Sequence, residues 1–178
     1  MSYYLSNPVL QFYFSELEKA GQTESAANHF WANALSLYFT QDKLYGIELE
    51  QRPLSGAITN RDGITILCVR SGTRDTFPTK IVLLEDKKNG READAATWAD
   101  ITKRLTEYLE LVRTEQGDEE TLYGIAAIGS CLRFYYLVPH GQALQDYPTE
   151  NTGGSYDLKR DEAENHNILT ELALKASP

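Results

Sequence analysis

The run Lys80-Ile81-Val82-Leu83-Leu84-Glu85-Asp86-Lys87 carries the decision about fold. Its unbroken apolar core, Ile81 to Leu84, reads as a strand buried on both faces in the middle of a sheet. Three charged residues follow directly, which puts the strand's end at the sheet's end or edge, where a site can form. Side chains alternate along a strand, so Glu85 and Lys87 project to the same side.

Two further strand-like runs precede it. They are Tyr45-Gly46-Ile47-Glu48-Leu49-Glu50 and Ile64-Thr65-Ile66-Leu67-Cys68-Val69, the latter preceded by Asn60-Arg61-Asp62-Gly63. The loop between the second and third runs holds Ser71, Gly72, Asp75 and Pro78, all turn formers. Upstream, a helix is predicted over about 23–39. Thr23 can cap it, Glu24 falls in its first turn, and Ala27, Phe30, Trp31, Ala34, Leu35 and Tyr38 form one stripe. Glu24 stands seven residues before Trp31, on nearly the same face. A shorter N-terminal helix over 9–19 is expected to pack as a flap, ended by Gly21.

Downstream, a long amphipathic helix is predicted over about 93–114, its stripe formed by Trp98, Ile101, Leu105, Tyr108, Leu109 and Val112. Gln116-Gly117-Asp118 stops it. Runs over 122–128 and 132–138 follow, joined by Gly129-Ser130-Cys131 as a tight hairpin. Residues 139–157 read as a long surface loop. A last helix over about 161–174 carries Ala163, Ile168, Leu169 and Leu172. The order is α-β-β-β-α-β-β-α in a single domain over 1–178, a central mixed sheet covered by helices. Strands 64–69 and 80–87 are expected to be neighbours.

Composition sets the limits. Apolar residues at 42% and charged residues at 24% describe a globular chain with room for one core. No apolar run approaches the roughly 20 residues that span a bilayer, so no membrane partner is expected. The N-terminus lacks the basic start and apolar run of a secretory signal. Cys68 and Cys131 sit inside apolar strands with no zinc-ligand spacing, which suits buried thiols in a reducing compartment, cytoplasm or nucleus. The net charge is −9, yet residues 61–91 hold seven basic and four acidic side chains, net +3, leaving −12 elsewhere. That local excess coincides with the charged strand end.

A carboxylate and a lysine on one strand face suit phosphodiester hydrolysis. The carboxylate binds Mg²⁺ or Mn²⁺, and the ammonium stabilises developing charge or positions the attacking water. One carboxylate is a weak ligand set, so a second should converge. Asp62 is the natural candidate, and Glu24 could approach from its helix. Each has a plainer role too: Asp62 within an Asn/Asp-Gly turn, Glu85 through Lys88 as a solvated strand end, Glu24 as a helix-dipole carboxylate. His29, His140 and His166 are scattered and form no metal spacing.

The succession of Glu24 on a helix, Asp62 ahead of one strand and Glu85-x-Lys87 at the end of the next resembles the PD-(D/E)XK nuclease-like superfamily. The flanks, including Glu24-Ser25-Ala26, the helix of Trp98 with Arg104-Leu105-Thr106-Glu107-Tyr108-Leu109, Leu122 to Gly129, and Arg133-Phe134-Tyr135, are similar to small fungal members. The likeness covers about residues 22–138. It implies a restriction-endonuclease-like α/β core in which Asp62 and Glu85 bind Mg²⁺ or Mn²⁺, Lys87 stands beside them as a catalytic group, and Glu24 is an outer ligand. It also implies a nucleic acid partner, DNA above RNA, met by Lys88, Arg91 and Arg104; a homodimer is left open. Two departures stand out: Arg104 takes a position that often carries Gln, and Arg61 replaces a Pro before the aspartate. The alternative is a nuclease fold without catalysis, serving as a binding or regulatory module.

Overall fold

The computed structural model describes residues 3–19, 24–51, 61–71, 76–87, 90–149 and 153–177. Helix α1 (Pro8–Glu18) begins with the Asn7 side chain accepting the Val9 N–H and with proline in its first turn, two features that suit a helix start. It follows a 3₁₀ turn at Tyr4–Ser6 and packs on α2 (Glu24–Leu35). Helix α2 stops four residues short of the predicted bound at 39. Ser36 to Tyr38 continue it only as turns, which still bury Tyr38 and Phe39.

A 3₁₀ turn at Gln41–Lys43 leads into β1 (Tyr45–Gln51), then β2 (Arg61–Ser71) and β3 (Thr76–Lys87). Both β2 and β3 are longer than their apolar runs. Asp62 lies inside β2, and Pro78, read from sequence as a turn former, stands in β3 opposite Val69. Gly72 and Asp75 are outside the described residues. Helix α3 (Ala95–Gln116) crosses over to β4 (Leu122–Ile128), and the two-residue turn Gly129-Ser130 returns the chain as β5 (Cys131–Leu137). Gly129 takes φ 55°, the left-handed conformation that glycine enters without a Cβ clash. Within the expected loop 139–157, two short strands, β6 (Gln145–Asp146) and β7 (Tyr156–Asp157), both pair with β5. Helix α4 (Glu162–Lys175) follows. Its buried face includes Asn165 with Ile168, Leu169 and Leu172, while Ala163 is exposed.

The seven-stranded sheet runs β1-β2-β3-β4-β5-β6, with β7 beside β5. Pairing is antiparallel except for β3 with β4, which are parallel as a helical crossover requires. The architecture is a mixed sheet flanked by helices, and β2 and β3 are neighbours. One face carries Ile64, Ile66, Val82, Leu84, Ile125 and Phe134 against the layer of α1, α2 and α4. The other carries Leu122, Ala126, Ile128 and Tyr135 against the stripe of α3. No helix of the described residues is long and apolar enough to cross a membrane.

Candidate metal centre at the end of β3

Strand β3 ends between these two layers, and its alternation sorts the charged residues by face. Val82 and Leu84 belong to the α1/α2/α4 core, and Asp86 pairs with Ala127, which belongs to the same core. Lys87 pairs with Ile128, which belongs to the α3 core. Asp86 is 3% exposed, a buried carboxylate in the last turn of a central strand. Its partner on the sequence side, Lys87, is half-buried, and its carbonyl accepts the Gly129 N–H at 3.1 Å.

Glu85 occupies the backbone row of Ala126 and Arg133, and Lys87 the next row, with Ile128 and Cys131. The two residues of Glu85-x-Lys87 therefore share one register parity, as their spacing requires. In that row Arg133 is half-buried, its guanidinium carbon 4.3 Å from the Trp98 ring centre. A cation over an indole face is favourable, and this stack pins the start of α3 to β5. The Trp98 indole N–H is satisfied by the Glu92 carbonyl at 2.8 Å.

Strand β2 approaches with an irregularity. Leu49 pairs with Ile64 but Gln51 pairs with Arg61, so β2 carries one extra residue at Asp62-Gly63. A bulge bends its strand and re-aims side chains, and bulges concentrate beside active sites. Simple alternation consequently does not fix the direction of Asp62. On the other side, Ile64 pairs with Leu84. That pair is the last of the β2–β3 register on this side, ahead of the bulge at Asp62-Gly63.

Helix α2 packs on β1, β2 and β3. Phe39, just beyond it, stacks edge-on with Tyr45 at 5.2 Å, and Tyr45 pairs with Cys68 at the far end of β2. At 1.5 Å per residue, the twelve residues of α2 span about 18 Å. Glu24 is its first residue. The side chains of Glu24, Asp62 and Glu85, and all of Lys88, lie outside the described part of the structure. Among the described residues no group of three or more His, Cys, Asp or Glu side chains is assembled.

The two remaining basic candidates differ in position. Arg91 stands in the short connection from β3 to α3, exposed, with its guanidinium 3.4 Å from Asp94. Asp94 caps α3: its carboxylate accepts from the Thr97 hydroxyl at 2.6 Å and the Ala96 N–H at 3.1 Å. Those bonds, with Arg91, hold its carboxyl below the usual aspartate value. Arg104 lies well down the exposed side of α3, 3.7 Å from Asp100. The histidines stay apart, His140 beside Asp118 and His166 beside Tyr38. The Ser130 hydroxyl donates to Asp157 at 2.9 Å, and burial pushes the neighbouring Cys131 thiol up, away from a reactive thiolate.

Asp86, Arg133 and Trp98 are the residues that the motif reading left without a role at this strand end. A signal for Asp86 was present in the sequence, because Asp86-Lys87-Lys88 repeats the acid-x-lysine spacing one residue later. Compared with known proteins, the chain has no significant match to any family model, curated protein or solved structure.

Proposed function

We propose that this protein is a metal-dependent phosphodiesterase acting on nucleic acid, DNA above RNA, with a PD-(D/E)XK-type centre at the joined ends of β2, β3 and α2. The observation that carries this reading is the buried Asp86 carboxylate at the end of the central strand. At 3% exposed, that carboxylate is held in place at the strand end, an oxygen donor of the kind that hard divalent cations take. A hard divalent cation such as Mg²⁺ or Mn²⁺ suits an oxygen-donor set built from Asp86, Asp62 and Glu24. The bound metal would polarise the phosphate and generate hydroxide.

In this reading Asp86 replaces Glu85 as the strand's metal ligand, because Asp86 belongs to the face on which α2 packs. The lysine two residues after the ligand is then Lys88, with the role first given to Lys87 on the opposite face: stabilising the developing phosphate charge. Glu85 becomes a structural carboxylate in the Arg133 row. Arg91, in the connection that follows the strand, is an exposed cation for a nucleic acid backbone; Arg104 lies further along α3.

The test is cleavage of a plasmid and of a single-stranded oligonucleotide with Mg²⁺ or Mn²⁺. Asp86→Asn and Asp62→Asn should each lower cleavage by about 10² or more, as should Lys88→Ala, by analogy with the loss of other charge-stabilising groups. Glu85→Gln and Lys87→Ala should retain it. The reverse pattern would return the motif to Glu85-x-Lys87. Absence of metal-dependent cleavage by the wild type would favour the non-catalytic binding module, a reading that the net charge of −9 and Arg104 also suit.

A further inference from the structure

A cavity of about 490 Å³ opens between α4, the N-terminal 3₁₀ turn and the turns that follow α2. Its size falls within the range of small-molecule sites. We propose that it binds a small aromatic anion: one flat ring carrying a phosphate or carboxylate group. This proposal is independent of the metal-centre reading, since Leu37 and Tyr38 follow the end of α2 remote from Glu24.

Two separate observations carry it. The first is charge. The basic groups among the lining residues are Lys43 and His166, with no Asp or Glu, in a chain of net −9. Lys43 is exposed and forms no ion pair among the described residues. Glu162, one turn before His166 on α4, does not line the cavity; it accepts the Leu5 N–H at 2.6 Å and stands near enough to Tyr4 and Tyr38 to help burial raise the pKa of their hydroxyls. The second is the wall. Leu37 and Leu174 are 45% and 69% exposed at the rim, large apolar side chains beside an aromatic floor. That floor is fixed, because His166 stacks with Tyr3 at 5.2 Å and Tyr38 at 5.5 Å between ring centres.

The Tyr38 hydroxyl and His166 Nδ1 are 2.9 Å apart. With the hydroxyl donating to Nδ1, the ring proton sits on Nε2 and remains a donor for a ligand oxygen. A ring would bury its faces against Leu37 and Leu174, while its anionic group meets the Lys43 ammonium and the imidazole in charge-assisted hydrogen bonds. Neither half of the site is sufficient: an exposed lysine alone holds a small anion weakly, and the apolar rim alone has no orientation.

Titration calorimetry of the full chain with phenyl phosphate, benzoate, phenol and inorganic phosphate tests this. Phenyl phosphate or benzoate should bind saturably with one site per chain, and which of the two binds identifies the anionic group. Phenol and inorganic phosphate should each bind at least about tenfold more weakly, the loss expected when one charge-assisted or one apolar contact is removed. Lys43→Ala and Leu174→Glu, both at exposed positions that leave the core intact, should each weaken the aromatic anion about tenfold. Absence of saturable binding by both aromatic anions, equal binding of inorganic phosphate alone, or unchanged affinity in both variants would overturn the proposal.

Discussion

Among single residues, Asp94 shows how one side chain sets a boundary that the sequence pattern placed two residues too early. Its carboxylate takes the hydroxyl of Thr97 and the N–H of Ala96, so the helix begins at Ala95 instead of Ala93. The Thr97 hydroxyl bond, the Ala96 N–H and Arg91 lower its pKa. A folded-state pKa below the unfolded value gives stability that is present above the unfolded pKa of about 3.9 and is lost as pH falls through the folded one. Asp94→Ala should therefore lower the thermal midpoint by a constant amount from pH 7 down to about 5, with the gap closing below about pH 4. Asp94→Asn keeps an acceptor at the cap and should recover most of the midpoint at pH 7. A gap that persists unchanged at pH 2 would show that the charge has no part in it.

At the level of elements, the seam between α3 and β4 depends on one missing Cβ. A methyl group built on Gly124 would stand 2.7 Å from Leu105 Cδ2 and 3.1 Å from Cγ, and Leu105 is fully buried. The helix can approach the sheet this closely because Gly124 offers no side chain. Gly124→Ala should cost about 1–3 kcal/mol by denaturant unfolding, the usual range for overpacking a core. The same substitution in a Leu105→Ala background should cost much less, because the deleted side chain is the one that collides. Equal costs in both backgrounds would place the damage elsewhere. The β2 bulge at Asp62-Gly63 is a second feature of this level. The motif Asn60-Arg61-Asp62-Gly63 announced a turn, and the strand absorbed its last three residues by inserting one residue too many.

Across the whole molecule, the N-terminus is stitched to α4. The Tyr4 hydroxyl donates to the Leu158 carbonyl at 2.5 Å, and Glu162 takes the Leu5 N–H. Burial raises the Tyr4 and Tyr38 hydroxyls far above the ordinary tyrosine value, and burial also raises Tyr123 and Tyr147. Groups whose pKa rises on folding stabilise fully below the unfolded value, about 10, and lose that contribution as pH climbs past it. The denaturation midpoint should therefore fall between about pH 9 and 11, and the fall should be shallower in a Tyr4→Phe, Tyr38→Phe double variant. Tyr4→Phe alone should cost about 1–3 kcal/mol at pH 7 by leaving the Leu158 carbonyl without its donor. An identical alkaline profile in the double variant would assign the loss to other groups.

Periodicity along the chain was enough to recover the helices, the five main strands and the adjacency of β2 and β3, because burial of an apolar stripe is a local demand that each segment must meet. The central position of β3 was legible from Ile81 to Leu84 for the same reason. The short strands β6 and β7 were not, since two-residue pairings leave no period and exist through β5 alone. Nor could spacing choose between Glu85-x-Lys87 and Asp86-x-Lys88, which are equally good patterns on a strand. Nor could it tell which parity of β3 faces α2 and which faces α3, which the register with β4 sets: Asp86 beside Ala127, Lys87 beside Ile128. A one-residue change of register exchanges the two faces of a strand, so the identity of a buried carboxylate is a property of the assembled sheet.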